Sequence, residues 1–224
     1  MAAGRAPLPE HPELRAIAEA MEVVAVLARR AASILFADLE ASGEIRRRIS
    51  SRTYFDLVRG LTDLIDTQVI AQGGIVGKHA GDGASALFLV EQLGHSEFEA
   101  AGVAIHAARS IRDRASELPA PDPDVRIDVG VHSGATLMIR QVATGGCLEF
   151  AGFGDEMNEA APIQDVATGG TALASKSLME RLDADHASEL GLDLDGLSYT
   201  TVGTLAASSA KPVRDAGTIP VAPI

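Results

Sequence analysis

The chain has 224 residues, 46% of them apolar, with 31 acids against 19 basic residues and a net charge of −12. That is enough apolar material for one packed domain with short extensions, and it excludes global disorder. The negative field excludes a broad nucleic-acid-binding surface, while a local phosphate pocket stays open wherever metal ions reverse the sign. The lone cysteine, Cys147, excludes an internal disulfide framework and a multi-cysteine zinc site, and reads as a buried or idle thiol.

Residues 1 to 11 are rich in Pro and Ala and read as loosely held. From Pro12 to Arg30, Leu14, Ile17, Ala18, Met21, Val24 and Leu27 recur at three- and four-residue steps. That spacing predicts an amphipathic helix, either a flap over the core or a dimerisation or partner helix. The stretch from Ile17 to Ala37 is interrupted by Glu19, Glu22, Arg29 and Arg30, too many charges for a membrane span. Acids and prolines stand where a secretory signal would begin, so a cytoplasmic protein without membrane contact is expected.

Ala32 to Ala37 is short and almost wholly apolar, which predicts a buried strand ending at Asp38. Ile45, Ile49, Leu57, Leu61, Leu64 and Ile65 place one buried stripe along a long helical stretch, 44 to 72, stopped by Gln72-Gly73-Gly74. Ile75 to Lys78 and Ala84 to Val90 predict two strands about a tight turn, His79 to Gly83. A second helix is expected from Ser96 to Leu118, broken by the Pro/Asp segment 119 to 124, followed by a strand from Val125 to His132. Residues 135 to 153 read as a hairpin around Gly145-Gly146, and Gly154 to Thr168 as a helix interrupted or shifted by Pro162. Thr171 to Ala174 reads as a strand, Lys176 to Leu182 as a helix, and 212 to 221 as a final edge strand. The order β-α-β-β-α-β, then further α/β elements, predicts an α+β fold on a ferredoxin-like split βαβ sheet.

Two acids stand out by location. Asp38 closes the first strand, and Asp82 sits at the hairpin tip between two glycines. In this topology the first strand lies beside the hairpin, so the two carboxylates meet on one edge. Each alone is an ordinary turn or cap residue. Together they suit hard cations, which prefer carboxylate oxygens plus substrate phosphates. The turn after Asp38, Leu39 to Gly43, leads into a helix whose first N–H groups suit a triphosphate.

Four segments then resemble, in order, the class III nucleotidyl cyclases. They are Ile34-Leu-Phe-Ala-Asp-Leu-Glu-Ala-Ser42, Gly73-Gly-Ile-Val-Gly-Lys-His-Ala-Gly-Asp82, Val129-Gly-Val-His-Ser-Gly134 and Gly154-Asp-Glu-Met-Asn-Glu-Ala-Ala161. The diguanylate cyclases share the topology, but their Gly-Gly-Asp/Glu-Glu-Phe signature is here Ala-Gly-Asp-Gly-Ala. The resemblance is strongest over 31 to 185. It implies a cyclase homology domain over 31–224, with residues 1–30 as a flexible start and helix.

What the resemblance implies about the site comes position by position. Asp38 and Asp82, with Leu39 between strand and turn, match the binding site of two Mg²⁺ or Mn²⁺ ions. Ser42 and Gly43 match the phosphate-facing turn, Lys78 the lysine that reads the base, and Asn158 the asparagine that orients ribose and reacting phosphate. The site forms between two antiparallel protomers, so a homodimer is implied, with nucleoside triphosphate as substrate. Two positions depart from the pattern. Ala151 replaces the second base-reading residue, usually an acid, and Pro162 replaces the transition-state arginine. Losing one such charge-stabilising donor typically costs about 10²–10³ in rate. Glu149 or Arg140 are candidate substitutes.

A lysine donor without an acidic partner favours a base edge that presents a carbonyl, as guanine O6 or uracil O4 does. That ranks UTP first, GTP next and ATP third, and the altered pair looks like that of the uridylate cyclases of bacterial anti-phage systems. The expected activity is a two-metal nucleotide cyclase. The alternative, favoured by Pro162, is a degenerate domain that binds nucleotide or a partner without turnover. His106 reads as a helix-surface residue, His132 as structural or pocket-lining, Arg46-Arg47-Arg48 as a solvated face, and Lys211 as a distant candidate for pyrophosphate contact.

Overall fold

The computed structural model describes residues 29–119, 125–144, 147–206 and 216–224. The predicted N-terminal helix, up to residue 28, and Lys211 lie outside them, as do the side chains of Arg140, Cys147 and Glu149. Chain order begins with β1 (Arg29–Leu39), α1 (Ser42–Arg48), α2 (Ser51–Ala71), β2 (Ile75–Ala80), β3 (Gly83–Leu89) and α3 (Glu97–Asp113). After a 3₁₀ turn, Ala115–Glu117, come β4 (Ile127–Thr144), β5 (Cys147–Phe153), α4 (Asp155–Asp165) and β6 (Ala172–Ser175). The chain closes with α5 (Lys176–Met179), α6 (Ala184–Glu189), β7 (Thr200–Thr201), α7 (Val202–Leu205) and β8 (Pro220–Pro223).

The sheet runs β2-β3-β1-β4-β6-β8-β7, with β5 hairpinned onto β4. Its first four strands and intervening helices form the expected ferredoxin-like α+β core. Because side chains alternate along a strand, β1 feeds two cores. Leu35, Ala37 and Leu39 pack with Ala84, Ala86 and Phe88 under α2 and α3. Ala32 and Ile34 face the other way, against Leu87, Leu89, Leu137, Ile139, Phe150 and Ala160 of α4. Asp38 shares the parity of Ile34 and so belongs to the α4 face.

Four expectations need correction. The long helix over 44–72 is two helices. Ile49 is extended, and Ser50 caps α2 by accepting a hydrogen bond from the Thr53 N–H at 3.1 Å. Arg29 and Arg30 belong to β1, not to a helix. The strand from Val125 and the first arm of the hairpin are one strand, β4, of 18 residues. Gly130 and Gly134 lie within it and let α4 press against it. A Cβ at Gly130 would stand 2.4 Å from the Gln164 backbone nitrogen, and one at Gly134 2.7 Å from Glu156 Cβ. Finally, β8 is no edge strand: it pairs with β6 and β7, leaving two-residue β7 outermost.

Candidate active site

Asp38 is the penultimate residue of β1, where its Cα partners are Gly83 on β3 and Asp128 on β4. The hairpin turn is tight, just Gly81 and Asp82, with Gly81 left-handed at φ 70°. The Asp82 carbonyl accepts from the Leu39 N–H at 3.3 Å, which ties the turn to the end of β1. A Cβ on Gly83 would stand 2.6 Å from Asp38 Oδ1. Glycine therefore leaves the space that the Asp38 carboxylate fills.

The two carboxylates repel one another. Burial, then the Asp82 charge, push the Asp38 pKa up to about 6, against the lowering effect of the Leu39 N–H. Among the described residues, Asp82 Oδ2 is buried without a hydrogen-bond partner. A buried, unpaired acceptor beside a second carboxylate is costly until a cation arrives. The pair thus fits a divalent ion. Among the described residues no group of three or more His, Cys, Asp or Glu side chains is arranged to hold a metal. An ion on Asp38 and Asp82 would complete its shell with main-chain, water and phosphate oxygens.

The same edge holds acids that sequence reasoning missed. Asp128 is 4% exposed and accepts from the Gly170 N–H at 2.9 Å and the Thr171 N–H at 3.2 Å. Burial, then Glu40, push its pKa up to about 6. Asp165, in the last turn of α4, adds to the negative field on Asp38. The overlooked signal was an acid inside the apolar alternation Ile127, Val129, Val131 of a strand.

The remaining expected site residues lie on other elements. Ser42 and Gly43 open α1 behind Ala41, which is left-handed and gives no side-chain cap. Lys78 is exposed on β2, its N–H donating to Ser85 Oγ at 3.1 Å. Ala151 is half-buried on β5, opposite Arg140, and Asn158 is exposed on α4. Among the described residues, no hydrogen bond or ion pair joins Lys78, Ala151 or Asn158 to the acid pair. Pro162 is buried inside α4. His132 does not line an open pocket: it is 4% exposed within β4, with Nε2 3.2 Å from Glu159 Oε2. Burial pushes its pKa down to about 4. His106 is exposed on α3, beside a cavity of 210 Å³ shared with Glu99, His186 and Glu189. Arg46, Arg47 and Arg48 are exposed, as a solvated face requires.

No family model matches the chain, and no curated protein matches its sequence. Solved structures do match in shape. The adenylyl cyclase CyaB from P. aeruginosa superposes with a TM-score of 0.61 at 16% identity, over 87% of this chain and 93% of that one. The guanylate cyclase domain of RhGC from Catenaria anguillulae, in complex with GTP, gives 0.64 at 14% identity, over 87% and 96%. A non-canonical dimeric guanylyl cyclase domain of the RhoGC fusion protein from the aquatic fungus Blastocladiella emersonii gives 0.59 at 15%, over 87% and 96%. The chain has the fold of a cyclase catalytic domain. At these identities the likeness is one of fold, and the chemistry rests on the residues. Among the described residues no helix is long and apolar enough to cross a membrane.

Proposed function

We propose that the chain is a nucleotide cyclase that converts a nucleoside triphosphate to a 3′,5′-cyclic nucleotide and pyrophosphate. The observation that carries this reading is the juxtaposition of Asp38 and Asp82, with one Asp82 oxygen buried and unpartnered. Asp38 and Asp82, with the Leu39 carbonyl, would hold two Mg²⁺ or Mn²⁺ ions. Bound there, the metal supplies a lowered pKa for the ribose 3′-hydroxyl and neutralises charge on the triphosphate.

The chain's own groups do the rest. Backbone N–H groups of Ser42 and Gly43 face the phosphates. Asn158 orients the ribose, so that the 3′-oxygen lies in line with the α-phosphorus. The hydroxyl gives up its proton, the 3′-oxygen–phosphorus bond forms, and the bond to the bridging oxygen breaks as pyrophosphate leaves. Lys78 donates to the base edge, and Ala151 offers it no acceptor. A carbonyl edge matches this pair, so UTP ranks first, GTP second and ATP third, as in a uridylate cyclase of an anti-phage system.

Lys78, Ala151 and Asn158 stand on elements separate from the acid pair, which supports a site shared between two copies of the chain. Mixing Asp38→Ala chains with Lys78→Ala chains under conditions of subunit exchange should then restore one working site per heterodimer. A mixture as inactive as its parts would remove the shared-site reading.

Pro162 favours a second reading, a domain that binds nucleotide without turnover. One experiment separates the two. Equal concentrations of ATP, GTP, CTP and UTP are supplied with Mn²⁺, and cyclic products are identified by mass. Cyclic UMP or cyclic GMP as the main product supports the cyclase with a carbonyl-edge preference. Dominant cyclic AMP overturns the base preference alone. Binding without any cyclic product establishes the second reading.

A further inference from the structure

The strand β2 changes phase at Lys78. Side chains of an extended strand alternate between faces, and residues paired across two strands share a face. Ile75 pairs with Leu87 and Val76 with Ala86, but the next pair is His79 with Ala84. Gly77 and Lys78 therefore both stand opposite Ser85, which is a β-bulge. Unbroken pairing would set Lys78 opposite Ala84, which belongs to the core under α2 and α3. The bulge gives that place to His79, whose Nε2 lies 2.8 Å from Asp66 Oδ1 on α2. Lys78, the residue before it, points the other way. That is the face of Ile34 and Leu87, to which Asp38 also belongs.

Two residues hold the bulge. Ser85 is 7% exposed, on the Asp38 face beside its β1 partner Phe36. Its Oγ accepts from the Lys78 N–H at 3.1 Å and lies 3.5 Å from the Lys78 carbonyl oxygen. One hydroxyl thus takes up the main chain of a residue that the bulge puts out of step with the ladder. Gly77 makes room for it. A Cβ there would stand 2.6 Å from Ser85 Oγ and 3.0 Å from the Ser85 carbonyl oxygen.

We propose that Ser85 is a positioning residue for Lys78: with Gly77 it fixes the bulge that turns this lysine onto the face of Asp38. The proposal rests on the reading of Lys78 as the group that donates to the base. In a two-fold dimer each copy presents the same face to the other. Lys78 then reaches a nucleotide held by the acid pair of a second copy only from the Asp38 face. The lysine supplies the donor, and Ser85 sets where it is offered.

The test reads base preference in binding, apart from turnover. The 3′-deoxy forms of ATP, GTP, CTP and UTP lack the attacking hydroxyl and bind without reacting. Their affinities for the purified full chain with Mn²⁺ are measured by calorimetry, and the ratio of tightest to weakest is followed. Lys78→Ala should flatten that ratio. Ser85→Ala should lower it roughly three- to tenfold, the scale of one misplaced hydrogen bond. Gly77→Ala, which displaces the hydroxyl without removing it, should act the same way and carries the test if Ser85→Ala does not fold. In a Lys78→Ala background, Ser85→Ala should change the ratio no further. A serine that only stabilises the sheet would lower Tm or weaken all four ligands alike. That result overturns the proposal, as does an additive effect in the double variant. A wild type without preference, or a preference that survives Lys78→Ala, removes Lys78 as the base reader and the proposal with it. The cyclase reading is judged separately, by cyclic products from the ordinary triphosphates. Their absence sinks that reading and leaves the binding result for Ser85 standing.

Discussion

Asp38 and Asp128 are cross-strand partners on neighbouring strands, and burial first of all pushes both up to about 6. Their surroundings differ. Asp128 accepts from two backbone N–H groups, Gly170 and Thr171, which clamp the loop before β6 to β4. Asp38 receives the Leu39 N–H and then faces a second carboxylate, Asp82, whose Oδ2 has no partner. A raised carboxylate pKa is therefore not by itself the mark of a site. Asp128 is satisfied by the fold, whereas the Asp38–Asp82 pair sets two carboxylates side by side and, among the described residues, leaves Asp82 Oδ2 without a partner.

The largest expected effect tests that contrast directly. Asp38→Asn and Asp82→Asn should each lower turnover by at least about 10²-fold, with Tm unchanged or raised because a like-charge contact is relieved. Asp128→Asn keeps an acceptor for Gly170 and Thr171 and should stay within about tenfold of wild type, well short of a lost charge-stabilising group. Steady-state rates on the three purified variants decide it. If Asp128→Asn is as inactive as Asp38→Asn, the division between structural and ligand-holding acid is wrong.

Asp128→Ala goes further, leaving two N–H groups at the loop without their acceptor. The expected loss is about 1–3 kcal/mol of folding stability, read from urea midpoints. A loss as large in Asp82→Ala would break the comparison, since Asp82 Oδ2 accepts nothing from the described residues.

Acidity offers a subtler separation. For Asp38 and Asp128 the ordinary value is 3.8 and the folded value about 6. The folded state thus holds protons that the unfolded chain has already released, and stability falls as pH rises through that interval. His132 runs the other way: its folded value is about 4 against an ordinary 6.5, so its contribution is lost as pH falls through that range. Metal-free urea titrations should show the falling slope reduced by either Asp38→Asn or Asp128→Asn. Saturating Mn²⁺ should remove the Asp38 share and leave the Asp128 share, because a metal-bound carboxylate is already ionised. A slope indifferent to Mn²⁺ would take Asp38 out of the metal site.

Much of this was legible in the residues. The apolar run into Asp38 and the two glycines around Asp82 are local signals, and the topology that joins them follows from element order. What escaped was set by tertiary contact. The apolar stripe from Ile45 through Ile49 to Leu57 does not reveal that Ser50 starts a new helix, because one capping serine is a weak signal beside six apolar residues in phase. Gly130 and Gly134 look like strand breakers until α4 is seen to need their missing side chains. Asp128 reads as a flaw in a strand, since its donors Gly170 and Thr171 lie more than forty residues on, at separations of 42 and 43. Pro162 stands in sequence as an absent arginine and as an interruption of the helix, yet α4 runs through it from Asp155 to Asp165.

The smallest effect concerns the backbone on the two sides of the edge. Beside Asp128 the left-handed positions are glycines, Gly169 at φ 73° and Gly170 at φ 72°. Beside Asp38 the left-handed residue is an alanine, Ala41 at φ 52°, at the turn that carries Ser42 and Gly43. An L-residue there costs about 1–2 kcal/mol, and glycine gives back roughly 0.5–1 kcal/mol in chain entropy. Ala41→Gly should therefore stabilise the chain by up to about 1 kcal/mol, read as a small rise in Tm. The reverse change, Gly170→Ala, should destabilise, since its Cβ would meet Arg126 Cβ at 3.2 Å at an unfavourable φ. Turnover then says whether the strain at Ala41 has a use. If Ala41→Gly raises Tm while lowering kcat, the stiffer alanine turn holds Ser42 and Gly43 against the phosphates, and local stability has been given up for position. If both rise, the alanine contributes nothing to the site. An unchanged Tm would mean that the turn relaxes in solution and carries no strain.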